Sequence, residues 1–258
     1  MGDASSFPPP VVVVTGASRG LGAGLAEAFA DAGLQLGLCA RHRPPVPESA
    51  NVADVVTAAV DVTDADAVGA FVDEVVERLG RIDVWVNNAG VLDPIGTLAD
   101  ADPRLLRRHI DVNVTGVLFG SRAFARHVRG RAGGGTLLNV SSGASSSPYE
   151  GWAAYCGSKA AVEMITQVVA LEERHHGLRA YAVAPGVVDT GMQALIRSTP
   201  DASFPAVERF RRLSEEQAFN SPEWVARFML DLVVGRIAPA SVSVRVPDQP
   251  RINWPRRV

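Results

Sequence analysis

Apolar runs of strand length alternate along this chain with amphipathic stretches of helix length. Residues 11–14 are four consecutive valines, the unbroken β-branched run expected of a strand buried on both faces. Residues 20–32 then follow a helical pattern that Gly33 stops. Further strand-like runs fall at 34–40, 52–60, 82–86, 136–140, 178–184 and 241–246. Helical patterns occupy 64–79, 102–128, 151–175 and 221–234, with Gly80 just past the first of these and Pro222 in the first turn of the last. On the 151–175 helix the apolar stripe is Ala161, Met164, Ile165 and Val168. The alternation predicts an α/β chain, a doubly wound parallel sheet of about seven strands with helices on both faces. No internal repeat appears, and residues 1–258 read as one domain. A proline-rich loop spans 41–49, and the long mixed stretch 190–220 predicts a mobile substrate flap with short helices.

Composition removes several function classes. The net charge of −3 gives no general attraction to nucleic acid or to an anionic membrane. Cys39 and Cys156 form neither a CxxC nor a disulfide framework. The five histidines show no metal-ligand spacing; His175 and His176 suit a helix end, where positive charge is tolerated. No apolar run reaches the roughly 18 residues of a membrane span, and residues 1–10 lack the basic start and apolar core of a signal peptide. A cytoplasmic protein acting on a small molecule is the expectation.

The turn after the first strand is Thr15-Gly16-Ala17-Ser18-Arg19-Gly20-Leu21-Gly22. Its glycines permit a tight turn and close approach of backbone to phosphate, and the helix start beyond it offers free N–H groups and a positive dipole end. This is a Rossmann-type dinucleotide signature. The end of the second strand reads Ala40-Arg41-His42-Arg43, without the acidic residue that would hold a ribose 2′-hydroxyl. Arg41 and Arg19 suit a 2′-phosphate, so NADP(H) is expected over NAD(H).

Of the 25 basic residues, a single one is lysine: Lys159, four residues after Tyr155 in Tyr155-Cys156-Gly157-Ser158-Lys159. Lysine keeps a compact ammonium where arginine would place a planar guanidinium. Asp61-Val62, Asn87-Asn88-Ala89-Gly90, Asn113, Ser142 and Pro185-Gly186 follow in order after successive strands or within helices. With these motifs the chain resembles the short-chain dehydrogenase/reductase family over nearly its whole length. The resemblance implies that Asp61 and Val62 flank the adenine, although Asp61 also reads as an ordinary helix-start residue. It implies that Asn88, Ala89 and Gly90 line the adenosine ribose side, that Val188 and Thr190 hold the nicotinamide amide next to Pro185-Gly186, and that Lys159 binds the nicotinamide ribose. Asn113 would kink its helix and hold a water between lysine and solvent, while Asn87 braces the sheet. Residues 151–156, 167–173 and 184–193 are similar to the sepiapterin reductase and benzil reductase subgroup. Sepiapterin reductases place an acid in the C-terminal strand; Ser243 stands there, with Asp248 five residues on, which favours a diketone over a pterin.

The chemistry implied is hydride transfer between a nicotinamide and a carbonyl or alcohol carbon. Tyr155 is the candidate general acid. Lys159, one helical turn away on the same face, is expected to lower the phenol pKa from about 10. Ser142, thirteen residues before Tyr155, would steady the developing oxyanion, with Ser141 as the competing assignment. Trp152, Tyr149, Met192, Leu92 and Pro148 predict an apolar wall suited to a flat aromatic or 1,2-dicarbonyl substrate. A non-catalytic NADP(H)-sensing protein and an alcohol dehydrogenase working oxidatively with NAD are the other readings. In the family, helices corresponding to 102–128 and 151–175 pair across subunits, so the resemblance implies a homodimer or homotetramer; residues 250–258, with Trp254 and three arginines, suggest a further partner contact.

Overall fold

A computed structural model describes residues 8–250, so the contact expected at Trp254 lies outside the described residues. Seven strands, β1 (Val11–Thr15), β2 (Gln35–Ala40), β3 (Val55–Ala59), β4 (Val84–Asn87), β5 (Gly135–Val140), β6 (Leu178–Ala184) and β7 (Ser243–Arg245), form one sheet. Its order is 3-2-1-4-5-6-7, and every neighbouring pair is parallel. The helices are α1 (Gly20–Asp31), α2 (Ala65–Leu79), α3 (Pro103–Ile110), α4 (Gly116–Arg129), α5 (Ala153–Glu173), α6 (Gly191–Ser198), α7 (Val207–Glu215) and α8 (Pro222–Val233).

The four-valine run explains the layering. Val12 and Val14 pack with Leu25 and Phe29 of α1 and Met229 of α8, while Val11 and Val13 pack on the other face with Val75 of α2 and Phe124 of α4. Successive side chains of a strand point to opposite faces, so a strand covered on both sides reads as a nearly continuous apolar run. Strand order reverses between β1 and β4, and the loops leaving these two strands diverge. A crevice opens there at the carboxyl ends of the strands.

Four expectations change. The predicted helix 102–128 is interrupted at Asp111–Thr115 by a π-turn. Asn113 inside it accepts from Val91 N–H at 2.8 Å and donates to Val91 C=O at 2.8 Å, tying the helix to the loop after β4. The 52–60 strand begins with a 3₁₀ turn, Val52–Asp54, which the Asn51 side chain caps. The last strand is three residues long at the sheet edge.

The fourth change concerns α5. Its predicted stripe does not face the core: Met164 is 60% and Val168 43% exposed. The buried face carries Tyr155, Ser158, Lys159, Val162 and Thr166 instead. This face is polar because it bears the site and bonds to the sheet, as where Asn139 of β5 donates to Thr166 Oγ1 at 2.8 Å. The stretch 190–220 forms α6 and α7, and it buries Ile196, Phe204, Val207 and Phe210 against Trp152 and Tyr155.

Candidate active site

Loops at the carboxyl ends of the strands enclose a cleft of about 1150 Å³. It is lined by every predicted site residue except Asn113, and by Leu92 of the predicted wall; Pro148 is exposed outside it.

At one end lies the glycine turn. Gly16 and Gly20 have φ of 68° and 59°, a region that L side chains rarely adopt. A Cβ on Gly22 would stand 2.4 Å from both Asn88 Nδ2 and Gly16 O. Asn88 borders the cleft, but its amide donates to Thr15 O at 2.8 Å and so buttresses the turn. Arg19 precedes α1 in an extended conformation with no side-chain cap, which leaves first-turn N–H groups of the helix free. This cradle fits a dinucleotide pyrophosphate.

Arg41 and Asp61 line the cleft beyond the ends of β2 and β3. The Asp61 carboxylate accepts from Thr63 N–H at 2.9 Å and from its hydroxyl at 2.8 Å. The backbone bond from Thr63 is the main reason its pKa lies below the usual carboxylate value; the charges of Arg41 and Arg108 act in the same direction, and burial opposes. Arg108, on the exposed face of α3, was not singled out by the sequence.

The reactive end is built on β5 and α5. Ser142 Oγ accepts from Ala144 N–H at 3.2 Å, and Ser142 lines the same cleft as Tyr155. Ser141 turns away and donates to Glu163 Oε1 at 2.9 Å. The Ser141 hydroxyl is thus engaged by Glu163, whereas that of Ser142 is not. Ser145 donates to the same oxygen at 2.6 Å and Ser243 to Glu163 Oε2 at 3.0 Å. Glu163 thereby pins the loop on both sides of Ser142. Its signal in the sequence is its position one turn after Lys159 on the same helix face.

Lys159 is 7% exposed, and its ammonium donates to Val140 O at 2.8 Å. It lies 5.7 Å from the Tyr155 ring centroid. Burial lowers its pKa from 10.5 to about 8. The Tyr155 phenol is raised above its ordinary value, because burial outweighs the opposing effect of the nearby Ser142 hydroxyl. The expectation that the ammonium depresses this phenol is therefore not met: both groups sit in a poorly solvated pocket, and each is pushed toward its neutral form.

Asn113 stands behind the wall, 1% exposed. Its amide also donates to His109 Nε2 at 2.9 Å. His109 Nδ1 lies 2.7 Å from Asp93 O, so that nitrogen donates and Nε2 is left to accept. Burial keeps this imidazole below its usual pKa. His109 packs edge-on to Tyr155 with centroids 6.2 Å apart.

The wall expected from Trp152, Tyr149 and Met192 is an aromatic cluster. Trp152 stacks on Phe204 at 4.3 Å between centroids and packs edge-on to Tyr155 at 5.4 Å. Tyr149 joins at 5.1 Å from Trp152, and Met192 packs against the same cluster. Phe204 and Phe210 come from the 190–220 stretch, whose fold the sequence pattern leaves open. Asp248 is exposed and pairs with Arg245, so it supplies no anchor carboxylate.

Comparison with known proteins agrees with this geometry. The short chain dehydrogenase family matches residues 10–201. A benzil reductase ((S)-benzoin forming) of Bacillus subtilis is 32% identical over 226 residues, covering 86% of this chain and 92% of its own. Another from Bacillus cereus is 30% identical over 246 residues, with 92% and 99% covered. The crystal structure of the KRED1-Pglu enzyme superimposes with a TM-score of 0.77 at 34% identity, covering 91% of this chain and all of that one. The chain thus belongs to the short-chain dehydrogenase/reductase family, oxidoreductases that act on CH–OH or C=O groups with a nicotinamide cofactor, and within it to the benzil-reductase-like subgroup.

Proposed function

We propose that this protein is an NADPH-dependent carbonyl reductase acting on a 1,2-diketone or a related ketone, with Tyr155 as general acid. The observation that carries the reading is that Ser142, Tyr155 and Lys159 line one cleft together with a dinucleotide cradle and an aromatic wall. Bound NADPH supplies the hydride. As it reaches the carbonyl carbon, the C=O π bond breaks toward oxygen. The Tyr155 phenol gives its proton to that oxygen, and Ser142 donates a hydrogen bond to it. The products are a hydroxyketone and NADP⁺, and a proton from solvent restores the phenol. Lys159 holds the nicotinamide ribose. Arg19 and Arg41, with no acid at the end of β2, favour a 2′-phosphate.

The similarity to benzil reductases supports the diketone. A pterin is disfavoured because Glu163, the carboxylate beside Ser243, is already engaged by three serine hydroxyls.

The exposed apolar side chains of α4 and α5, among them Leu118, Met164, Val168 and Leu171, suit pairing with a second copy, and we take the enzyme as a homodimer or homotetramer. The α6–α7 stretch acts as a flap that opens for substrate. Among the described residues no helix is long and apolar enough to cross a membrane. Cys39 and Cys156 are free, which suits a reducing compartment, and we assign the enzyme to the cytoplasm with neither nucleic acid nor membrane as partner.

The test is loss of absorbance at 340 nm with purified protein, NADPH or NADH, and benzil, a small aliphatic diketone or sepiapterin. NADPH-dependent turnover of a diketone is the expected result. NADPH binding without turnover of any carbonyl would favour the NADP(H)-sensing reading, and NAD⁺-dependent oxidation of alcohols would favour the dehydrogenase reading.

A further inference from the structure

Among the described residues, three buried side-chain polar atoms lack a hydrogen-bond partner: Arg131 Nε, Trp152 Nε1 and Gln193 Oε1. The arginine lies away from the cleft, whereas Trp152 and Gln193 both line it. Trp152 is 4% and Gln193 8% exposed. One atom is an obligate donor and the other an obligate acceptor. Folding has removed both from water without replacing the lost bonds, and such groups are uncommon unless a ligand completes them. They come from separate elements, the residue before α5 and the first turn of α6 next to Met192, so a single local packing fault does not account for both.

The reacting carbonyl oxygen is met by Tyr155 and Ser142 and does not need these two atoms. The Trp152 ring packs edge-on to Tyr155, which places it beside the reactive end of the cleft. We propose that Trp152 Nε1 and Gln193 Oε1 form a subsite for a second oxygen of the substrate, carried on the carbon next to the reacting carbonyl. A second carbonyl accepts from Trp152 and leaves Gln193 unpaired. A hydroxyl accepts from Trp152 and donates to Gln193, so it completes both. The subsite therefore engages the second oxygen of a 1,2-diketone through Trp152, engages that of an α-hydroxyketone through both atoms, and gives nothing to a plain ketone. The assignment rests on the carbonyl reductase reading above and deepens it.

The test uses three ketones on one skeleton: deoxybenzoin with no second oxygen, benzil with a second carbonyl, and benzoin with a hydroxyl. Because their intrinsic reactivities differ, the readout is the ratio of variant to wild-type kcat/KM for each. Trp152→Phe keeps an aromatic ring and removes the N–H. Its loss with benzil and benzoin should exceed its loss with deoxybenzoin by about tenfold. Gln193→Leu removes the acceptor, and its excess loss should fall on benzoin alone. Equal losses across the three ketones, in either variant, would overturn the subsite and leave the reductase intact. If Trp152→Phe does not fold, the Gln193 variant decides alone. Failure of the wild type to oxidise NADPH with all three would remove the reductase reading itself, and the subsite with it.

Discussion

The single lysine sets up a test of how function and stability oppose each other in this cleft. Burial lowers the Lys159 pKa from 10.5 to about 8. At about 1.4 kcal/mol per pH unit, the charged form costs the fold about 3 kcal/mol, an upper bound because a real pocket relaxes around the ammonium. The sign follows from proton binding. Below about pH 8 the group is protonated in both folded and unfolded states, and the full cost applies. Between about 8 and 10.5 the unfolded chain binds the extra proton, so stability rises with pH across that window. Lys159→Met keeps a straight chain of similar bulk and removes the charge. It also removes the donor to Val140 O, at about 1 kcal/mol. The cofactor-free variant should therefore be more stable than wild type at pH 7 by about 2 kcal/mol, or roughly 4–8 °C in Tm, while losing activity. That advantage should shrink toward zero by pH 10. The buried Cys39 thiol, raised to about 12, lowers stability above its ordinary value of 9.0, but it does so equally in both proteins and cancels in the difference. Urea melts of both proteins at intervals from pH 7 to 10 are the assay. A variant less stable than wild type at pH 7, or a difference constant with pH, would refute the reasoning.

Three further outcomes are expected. Arg41→Ala should reduce the preference for NADPH over NADH, measured as the ratio of kcat/KM values, by about tenfold or more, since one charge-assisted contact is lost; an unchanged ratio would place the 2′-phosphate elsewhere. Gly22→Ala would set a Cβ 2.4 Å from Gly16 O and Asn88 Nδ2, so cofactor affinity by fluorescence titration should fall at least tenfold. Glu163→Ala leaves three serine hydroxyls without their carboxylate and should lower stability by about 2 kcal/mol. Because two of those serines flank Ser142, kcat should fall more than KM changes; a stability loss with unchanged kcat would make Glu163 a purely structural tie.

The sheet was legible because its strands obey one strong constraint. Burial on both faces leaves few polar positions, and runs such as residues 11–14 and 36–40 show it directly. The nucleotide turn and the Tyr155–Lys159 spacing were legible because both are local in sequence. The buried face of α5 was not, because a helix that packs Ser158, Lys159 and Thr166 against the sheet inverts the apolar stripe used to orient it. His109 and Glu163 escaped notice for a related reason. Each also acts through partners far along the chain, Asp93 and Ser158 for the histidine and Ser141, Ser145 and Ser243 for the glutamate; the helical spacing from Asn113 or Lys159 gives the face of each residue but not these distant partners. Phe204 and Phe210 reach the site only because α6 and α7 fold back on Trp152. The choice between Ser141 and Ser142 needed the direction in which each side chain leaves the end of β5.

The central claim, that hydride passes from the nicotinamide to a carbonyl carbon protonated through Tyr155, is tested most directly by isotope transfer. The protein would be incubated with benzil and NADPH deuterated at both C4 positions, and the alcohol product analysed by mass spectrometry. The account predicts one deuterium on the new carbinol carbon, and a yield reduced by roughly 10²–10⁴-fold in Tyr155→Phe. An alcohol product without deuterium, or Tyr155→Phe as active as wild type, would contradict it.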